Sequence, residues 1–233
     1  MSAGARTVRW IAALSLAVNA AVGAVYLARH LVSPAHTRSS REQARGALFH
    51  ELATGSPAQR DVVVLGDSLT ERAEWWELLE RPVANRGVAG DTVADVRARL
   101  DDIVAIEPRV LFVLVGINDL AAGTPPDVLA MNHAGLVGEL RWRLPHARIV
   151  VESLLPVRDQ LVGRDDKLTT AAVRRSNQLL ERAAAGAGTE WLDVNAALAD
   201  ATGELDPRYA SDAVHLSPAG YRAWAAALAP FLP

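Results

Sequence analysis

Apolar positions fall along the chain in two alternating rhythms. Val62-Val63-Val64-Leu65 is a continuous apolar run ending at Gly66, the pattern of a strand buried on both faces. Residues 82–88 read as a second, weaker strand, 110–115 as the strongest, 148–155 as a fourth and 190–194 as a fifth. Between them apolar residues recur at helical spacing. This predicts helices over 70–79, over 92–106 (Val93, Val96, Leu100, Ile103 and Val104 on one side), over 127–144 and over 168–185. The last of these stops near Gly186 and Gly188. Ser217-Pro218 reads as an N-cap followed by proline at the first helical position of a final helix to about residue 228. Strand–helix alternation with fully apolar strands predicts a parallel sheet with helices on both faces. Ligands of such sheets bind at the carboxyl ends of the strands.

The first 45 residues break this rhythm. Residues 1–9 form a short segment carrying Arg6 and Arg9, and residues 10–28 contain no charge at all. As a helix the second stretch would rise about 28 Å, close to the thickness of a bilayer core. Trp10 and Tyr26 stand near its ends, where interfacial aromatics belong. A transmembrane anchor is the favoured reading. A cleaved signal with small residues at 21–24, or an apolar core helix, are the alternatives. Arg6 and Arg9 orient the N-terminus inward and the rest of the chain outside the cytoplasm, although Arg29, Arg38, Arg41 and Arg45 follow the run. Signal cleavage would instead give a secreted protein. Residues 29–45 read as a linker leading into a short helix around 42–52, and residues 46–233 as one domain.

Composition narrows the chemistry. Half of the 233 residues are hydrophobic, 22% are charged and the formal net charge is -3, so a basic nucleic-acid-binding surface is not the expectation. There is no cysteine, which excludes disulfides, thiolate metal sites and a cysteine nucleophile. No His-Glu-x-x-His, carboxylate-rich calcium loop or lysine-containing phosphate loop occurs, and neither a metal nor another cofactor is expected.

The strand ends carry the reactive residues. Gly66-Asp67-Ser68-Leu69-Thr70 follows the first strand and would present the Ser68 hydroxyl at the sheet edge, its N–H at the start of a helix. The block from Asn85 through Gly90 to Thr92 follows the second strand, and Gly116-Ile117-Asn118-Asp119 the third. Asp212-Ala213-Val214-His215 precedes the last helix. A serine needs a base to become a nucleophile, and an imidazole held by a carboxylate is such a base. Ser68 N–H, Gly90 N–H and the Asn118 amide could receive the oxyanion of a tetrahedral intermediate.

These four blocks, in this order, resemble those of the SGNH, or GDSL, hydrolase family. The resemblance covers about residue 61 to the end. It implies a flavodoxin-like three-layer α/β/α fold with about five parallel strands. It also implies Ser68 as nucleophile, His215 as base, Asp212 as its partner, and Gly90 and Asn118 as oxyanion donors beside Ser68 N–H. Val83-Ala84-Asn85-Arg86-Gly87 and Trp75-Trp76 look most like the branch of platelet-activating-factor acetylhydrolase-like esterases. No Gly-x-Ser-x-Gly elbow is present.

The neighbouring residues have structural readings. Asp67 is expected to bond turn backbone, Asp119 to cap its segment or brace the loops, and Asp91 or Thr92 to cap the second long helix. Arg86 and Arg158 read as loop braces or solvated charges, though either could meet an anionic substrate. Trp75 and Trp76 either line an acyl pocket or pack in the core. His50, His133 and His146 read as structural. Three functions fit the sequence. The first is a serine esterase acting on a small-molecule, lipid or glycan ester. The second is an acyltransferase or O-acetylesterase working on an envelope glycan. The third is a non-catalytic binding domain on the same fold, against which the intact Ser68, Asp212 and His215 set argues.

Overall fold

The structure, a computed structural model, describes residues 39–55, 61–159 and 167–233. The apolar segment expected at 10–28 and the linker up to residue 38 lie outside the described residues. Among the described residues, no helix is long and apolar enough to cross a membrane.

Five short strands form one parallel sheet: β1 (Val62–Gly66), β2 (Val83–Gly87), β3 (Val110–Leu114), β4 (Arg148–Glu152) and β5 (Glu190–Leu192). Their spatial order is β2-β1-β3-β4-β5, the order of flavodoxin-like folds. β1 and β3 are buried at every position because helices cover both faces, which is why their sequences run apolar without alternation. Each buried valine or leucine there stabilises the fold by about 1.5–3 kcal/mol relative to exposure.

The helices are α1 (Ser40–Gly55), α2 (Ser68–Glu71), α3 (Trp75–Leu79), α4 (Val93–Ala98), α5 (Leu100–Val104), α6 (Ile117–Ala121), α7 (Pro126–Arg143), α8 (Thr170–Gly186), α9 (Asn195–Leu198) and α10 (Pro218–Leu228). A 3-10 turn, Ala229–Phe231, follows α10. Helix α7 packs on α4 and α8, while α10 packs on α3 and α9. Right-handed crossovers produce this division. The β1–β2 connection runs opposite to the later ones, so its helices join α10 on one face.

Three elements differ from the sequence expectation. The helix expected over 70–79 is two short helices. The Asn85 amide takes the carbonyls of Thr70, Glu71 and Ala73, and the Trp75 indole N–H also donates to Thr70 O, which ends α2. The helix expected over 92–106 breaks at Arg99, where φ is −119°. Arg99 is buried, and its guanidinium turns inward to Asp91 and to the carbonyls of Gly66 and Arg86. Helix α1 starts at Ser40, inside the stretch read as linker. It is seated by Phe49, whose ring lies 4.9 Å from the Arg45 guanidinium and 4.5 Å from that of Arg86, and by a His50–Asp102 contact of 3.1 Å.

Candidate active site

β1 and β3 are neighbours from which the chain leaves in opposite directions, and the crevice between their carboxyl ends is where such sheets hold ligands. Ser68 opens α2 directly after β1, and Asn118 lies in α6 directly after β3. Asp67 caps α2 by accepting from Leu69 N at 3.0 Å, which fixes the turn carrying Ser68.

The loop before α10 brings the histidine to the serine. Ser68 Oγ and His215 Nε2 are 3.1 Å apart, and His215 Nδ1 is 2.8 Å from Asp212 Oδ2. The other carboxylate oxygen of Asp212 accepts from Val214 N at 2.8 Å and His215 N at 2.7 Å. Partial burial works to raise the Asp212 pKa. The two backbone donors and the imidazole outweigh it and hold the carboxyl down at about 2. Arg158 N donates to Ala213 O at 2.9 Å and ties this loop to the segment after β4. A hydroxyl, an imidazole and a carboxylate in this line can pass a proton from oxygen to nitrogen and stabilise the resulting cation.

Gly90 occupies a turn closed by Asp91 N donating to Val88 O at 3.2 Å, and its φ of +79° is one that glycine adopts without strain. The N–H groups of Ser68 and Gly90 donate to no group among the described residues. Asn118 Nδ2 donates to Asp91 O at 2.9 Å, and the amide group carries a second N–H. The structure thus brings Ser68, His215 and Asp212 into one hydrogen-bonded line, and joins the Gly90 turn to Asn118 through Asp91.

A set of buried charges underlies these loops. Asp91 pairs with Arg99 at 2.7 Å, and Asp119 accepts from Val93 N at 3.0 Å, bracing the start of α4. Thr92 caps α4 in a reciprocal box with Asp95. Burial, with the nearby Asp91 and Asp119 charges adding to it, pushes the Asp67 carboxyl up to about 7. Trp75 is a core residue set edge-on to Trp224 at 4.8 Å, whereas Trp76 is exposed. His133 is buried, which pushes its imidazole down to about 4, and His146 is exposed. A cavity of about 240 Å³ opens beside β5, lined by Arg174, Gln178, Trp191 and Asp193 among others; neither Ser68 nor His215 lines it. Among the described residues no three His, Asp or Glu side chains cluster as metal ligands would.

The sequence reading named Asn85 within a block without giving it a role, and singled out neither Glu71 nor Arg45 as part of the site. Asn85 takes three carbonyls of the α2 end, and Glu71 Oε2 accepts from Ala89 N at 2.7 Å. Gly87 permits this closeness, since a Cβ there would lie 2.2 Å from Glu71 N.

Solved structures share this fold. The chain aligns with a protein from Streptococcus pneumonia assigned as a platelet activating factor at a TM-score of 0.75 and 22% identity, covering 93% of this chain and 99% of that one. A GDSL-like lipase from Bacteroides thetaiotaomicron aligns at 0.66 and 19% identity, over 80% and 97%. An acetyl-xylooligosaccharide esterase from Geobacillus Stearmophilus, solved as a mutant, aligns at 0.58 and 22% identity, over 72% and 91%. No curated protein matches the chain. The model of the GDSL-like lipase/acylhydrolase family matches residues 64–223, well over half of the chain and all four sequence blocks. The chain therefore belongs to the GDSL-like lipase/acylhydrolase family and is an ester-hydrolysing enzyme.

Proposed function

We propose a serine esterase that works through an acyl-enzyme. The observation that carries this reading is the line Ser68 Oγ–His215 Nε2–Nδ1–Asp212, with contacts of 3.1 and 2.8 Å. Ser68 Oγ bonds to the ester carbonyl carbon while its proton moves to His215 Nε2. The carbonyl oxygen becomes an oxyanion received by Ser68 N–H, Gly90 N–H and the Asn118 amide. The tetrahedral centre collapses, the carbon–oxygen bond to the alcohol breaks, and His215 returns the proton to the leaving oxygen. Water then attacks the acyl-Ser68 ester, gives its proton to the same imidazole, and the acid leaves as Ser68 takes the proton back. Asp212, ionised above about pH 2, orients the ring and stabilises the imidazolium throughout. The test is hydrolysis of p-nitrophenyl esters from acetate upward by the chain and by Ser68→Ala. Loss of turnover in the variant is expected, and the chain-length profile separates an acetylesterase from a lipase. Unchanged turnover would refute the nucleophile.

A second reading concerns the substrate. The uncharged stretch 10–28 supports a membrane anchor with the enzyme outside the cytoplasm, where acylated envelope glycans are available. The acetyl-xylooligosaccharide esterase among the similar structures supports a sugar acetate. On this reading the acyl-enzyme passes its acetyl group to water or to a glycan hydroxyl. Intact cells carrying the full chain should then release acetate from added acetylated xylan, with the activity sedimenting with membranes. Activity confined to the soluble lysate would overturn the anchored placement. Free acetate alone at every acceptor concentration would exclude transfer.

A further inference from the structure

The turn that carries Gly90 is fixed at more points than its own hydrogen bond. Val88 N donates to Gly66 O at 3.1 Å and Asp91 N closes on Val88 O at 3.2 Å. A four-residue turn of this kind leaves the N–H of its second residue, here Ala89, without a partner inside the turn. Glu71 Oε2 takes that N–H at 2.7 Å. Glu71 ends α2, three residues beyond Ser68, and its side chain is 7% exposed. A carboxylate this far from water needs a counter-charge.

Helix α1 supplies it. Arg45 Nε lies 3.7 Å from Glu71 Oε2 and donates to Gly87 O at 2.6 Å, while a second nitrogen reaches Asn85 Oδ1 at 3.3 Å. The Arg45 guanidinium rests over the buried Phe49 ring at 4.9 Å. Arg41 also reaches Glu71, at 3.3 Å, but its side chain is almost fully exposed and its pairing is weakened by water.

We propose that Glu71, held by Arg45, is a positioning residue for the oxyanion site. It fixes the Ala89 amide and with it the turn whose next N–H is that of Gly90. The inference rests on the reading of Gly90 as an oxyanion donor, and it makes α1 part of the catalytic apparatus. A donor must meet the developing charge within a few tenths of an ångström, and displacement of about 1 Å can cost on the order of a hundredfold. A carboxylate that merely glued α1 to the domain would affect melting and leave turnover alone.

Steady-state hydrolysis of p-nitrophenyl acetate by the full chain in detergent separates the two. Glu71→Ala should lower kcat roughly tenfold to a hundredfold with little change in KM. Glu71→Gln should recover most of that loss, because its amide oxygen still accepts from Ala89. Arg45→Met should fall between them. A boronic acid that forms a tetrahedral adduct on Ser68 should bind more weakly in the same rank order. Unchanged kcat in folded Glu71→Ala, or a loss confined to KM, would overturn the proposal. If Glu71→Ala does not fold, Arg45→Met decides, since that side chain is partly exposed and its loss leaves the carboxylate in place. Activity that survives Ser68→Ala would instead remove the serine-esterase reading itself. Activity lost in Ser68→Ala but intact in Glu71→Ala would remove only the positioning role.

Discussion

Asp212 does two jobs with two oxygens. One accepts the backbone N–H groups of Val214 and His215 and so shapes the loop; the other meets His215 Nδ1. The spacing of three residues makes this possible and is why the pair could be read from the sequence. The carboxyl is held at about 2, below its unfolded value near 3.9. A depressed acid contributes stability above the unfolded value and loses it as pH falls through the folded one, here between about 4 and 2. Across any neutral assay range Asp212 is therefore ionised. Asp212→Asn tests the second job without destroying the first. The amide oxygen can still accept the two backbone donors, but the NH2 group then faces Nδ1, favouring the tautomer that has its proton on Nε2. Turnover on p-nitrophenyl acetate should fall roughly 10²- to 10³-fold, while the melting temperature falls only modestly, because water screens the charge of this half-exposed side chain. Wild-type turnover in this variant would mean that the imidazole needs no orienting partner.

At the scale of elements, what was legible depended on whether the cause lay in the local pattern. β1, β3 and β4 could be read because burial on both faces demands apolar runs, whereas β2 and β5 are half-buried edge strands with shorter apolar patterns. The blocks after β1, β2 and β3 could be located because strand ends and glycine turns announce themselves. The ends of α2 and α4 could not. Apolar periodicity continues through residues 70–79 and 92–106, and the breaks come from distant partners: Asn85 capturing the carbonyls of α2, and the buried Asp91–Arg99 pair drawing Arg99 out of helical geometry. Glu71 and Arg45 were hidden for the same reason. Each is an ordinary helix-surface charge in the sequence, and only the packing of α1 against α2 and β2 puts them beside the Ala89 amide. Helix α1 was placed two residues late at its start because Ser39 and Ser40 resemble linker. Yet Ser39 accepts from Glu42 N at 3.3 Å and donates its own N–H to the Glu42 carboxylate at 2.5 Å, which starts the helix.

At the scale of the whole molecule, α10 closes one face of the sheet through a buried acid. Glu152 ends β4, is essentially unexposed, and one of its oxygens accepts from the Trp224 indole N–H at 2.5 Å. Trp224 stacks with Tyr221 and meets Trp75 edge-on, and the Tyr221 hydroxyl donates to Leu69 O, next to Ser68. The sheet, α10 and α2, the helix that Ser68 opens, are thus joined around one carboxyl. Its other oxygen has no hydrogen-bond partner among the described residues. Burial pushes the Glu152 carboxyl up to about 8 from its ordinary 4.5, against the smaller opposing effect of the indole N–H. The sign follows from proton counting. Between about 4.5 and 8 the folded chain keeps a proton that the unfolded chain releases, so stability is greatest below this window and falls as pH rises through it. Asp67 acts in the same direction between 3.8 and about 7. One such group changes stability by at most about 1.4 kcal/mol per pH unit, and by a few kcal/mol in all. Glu152→Gln keeps an acceptor for Trp224 and removes the charge. Urea unfolding at pH 5, 6.5 and 8 should show the wild-type chain losing stability with each step, and the variant losing clearly less and exceeding it at pH 8. An equal decline in both would assign the pH dependence to other groups and leave Glu152 as a hydrogen-bond acceptor alone.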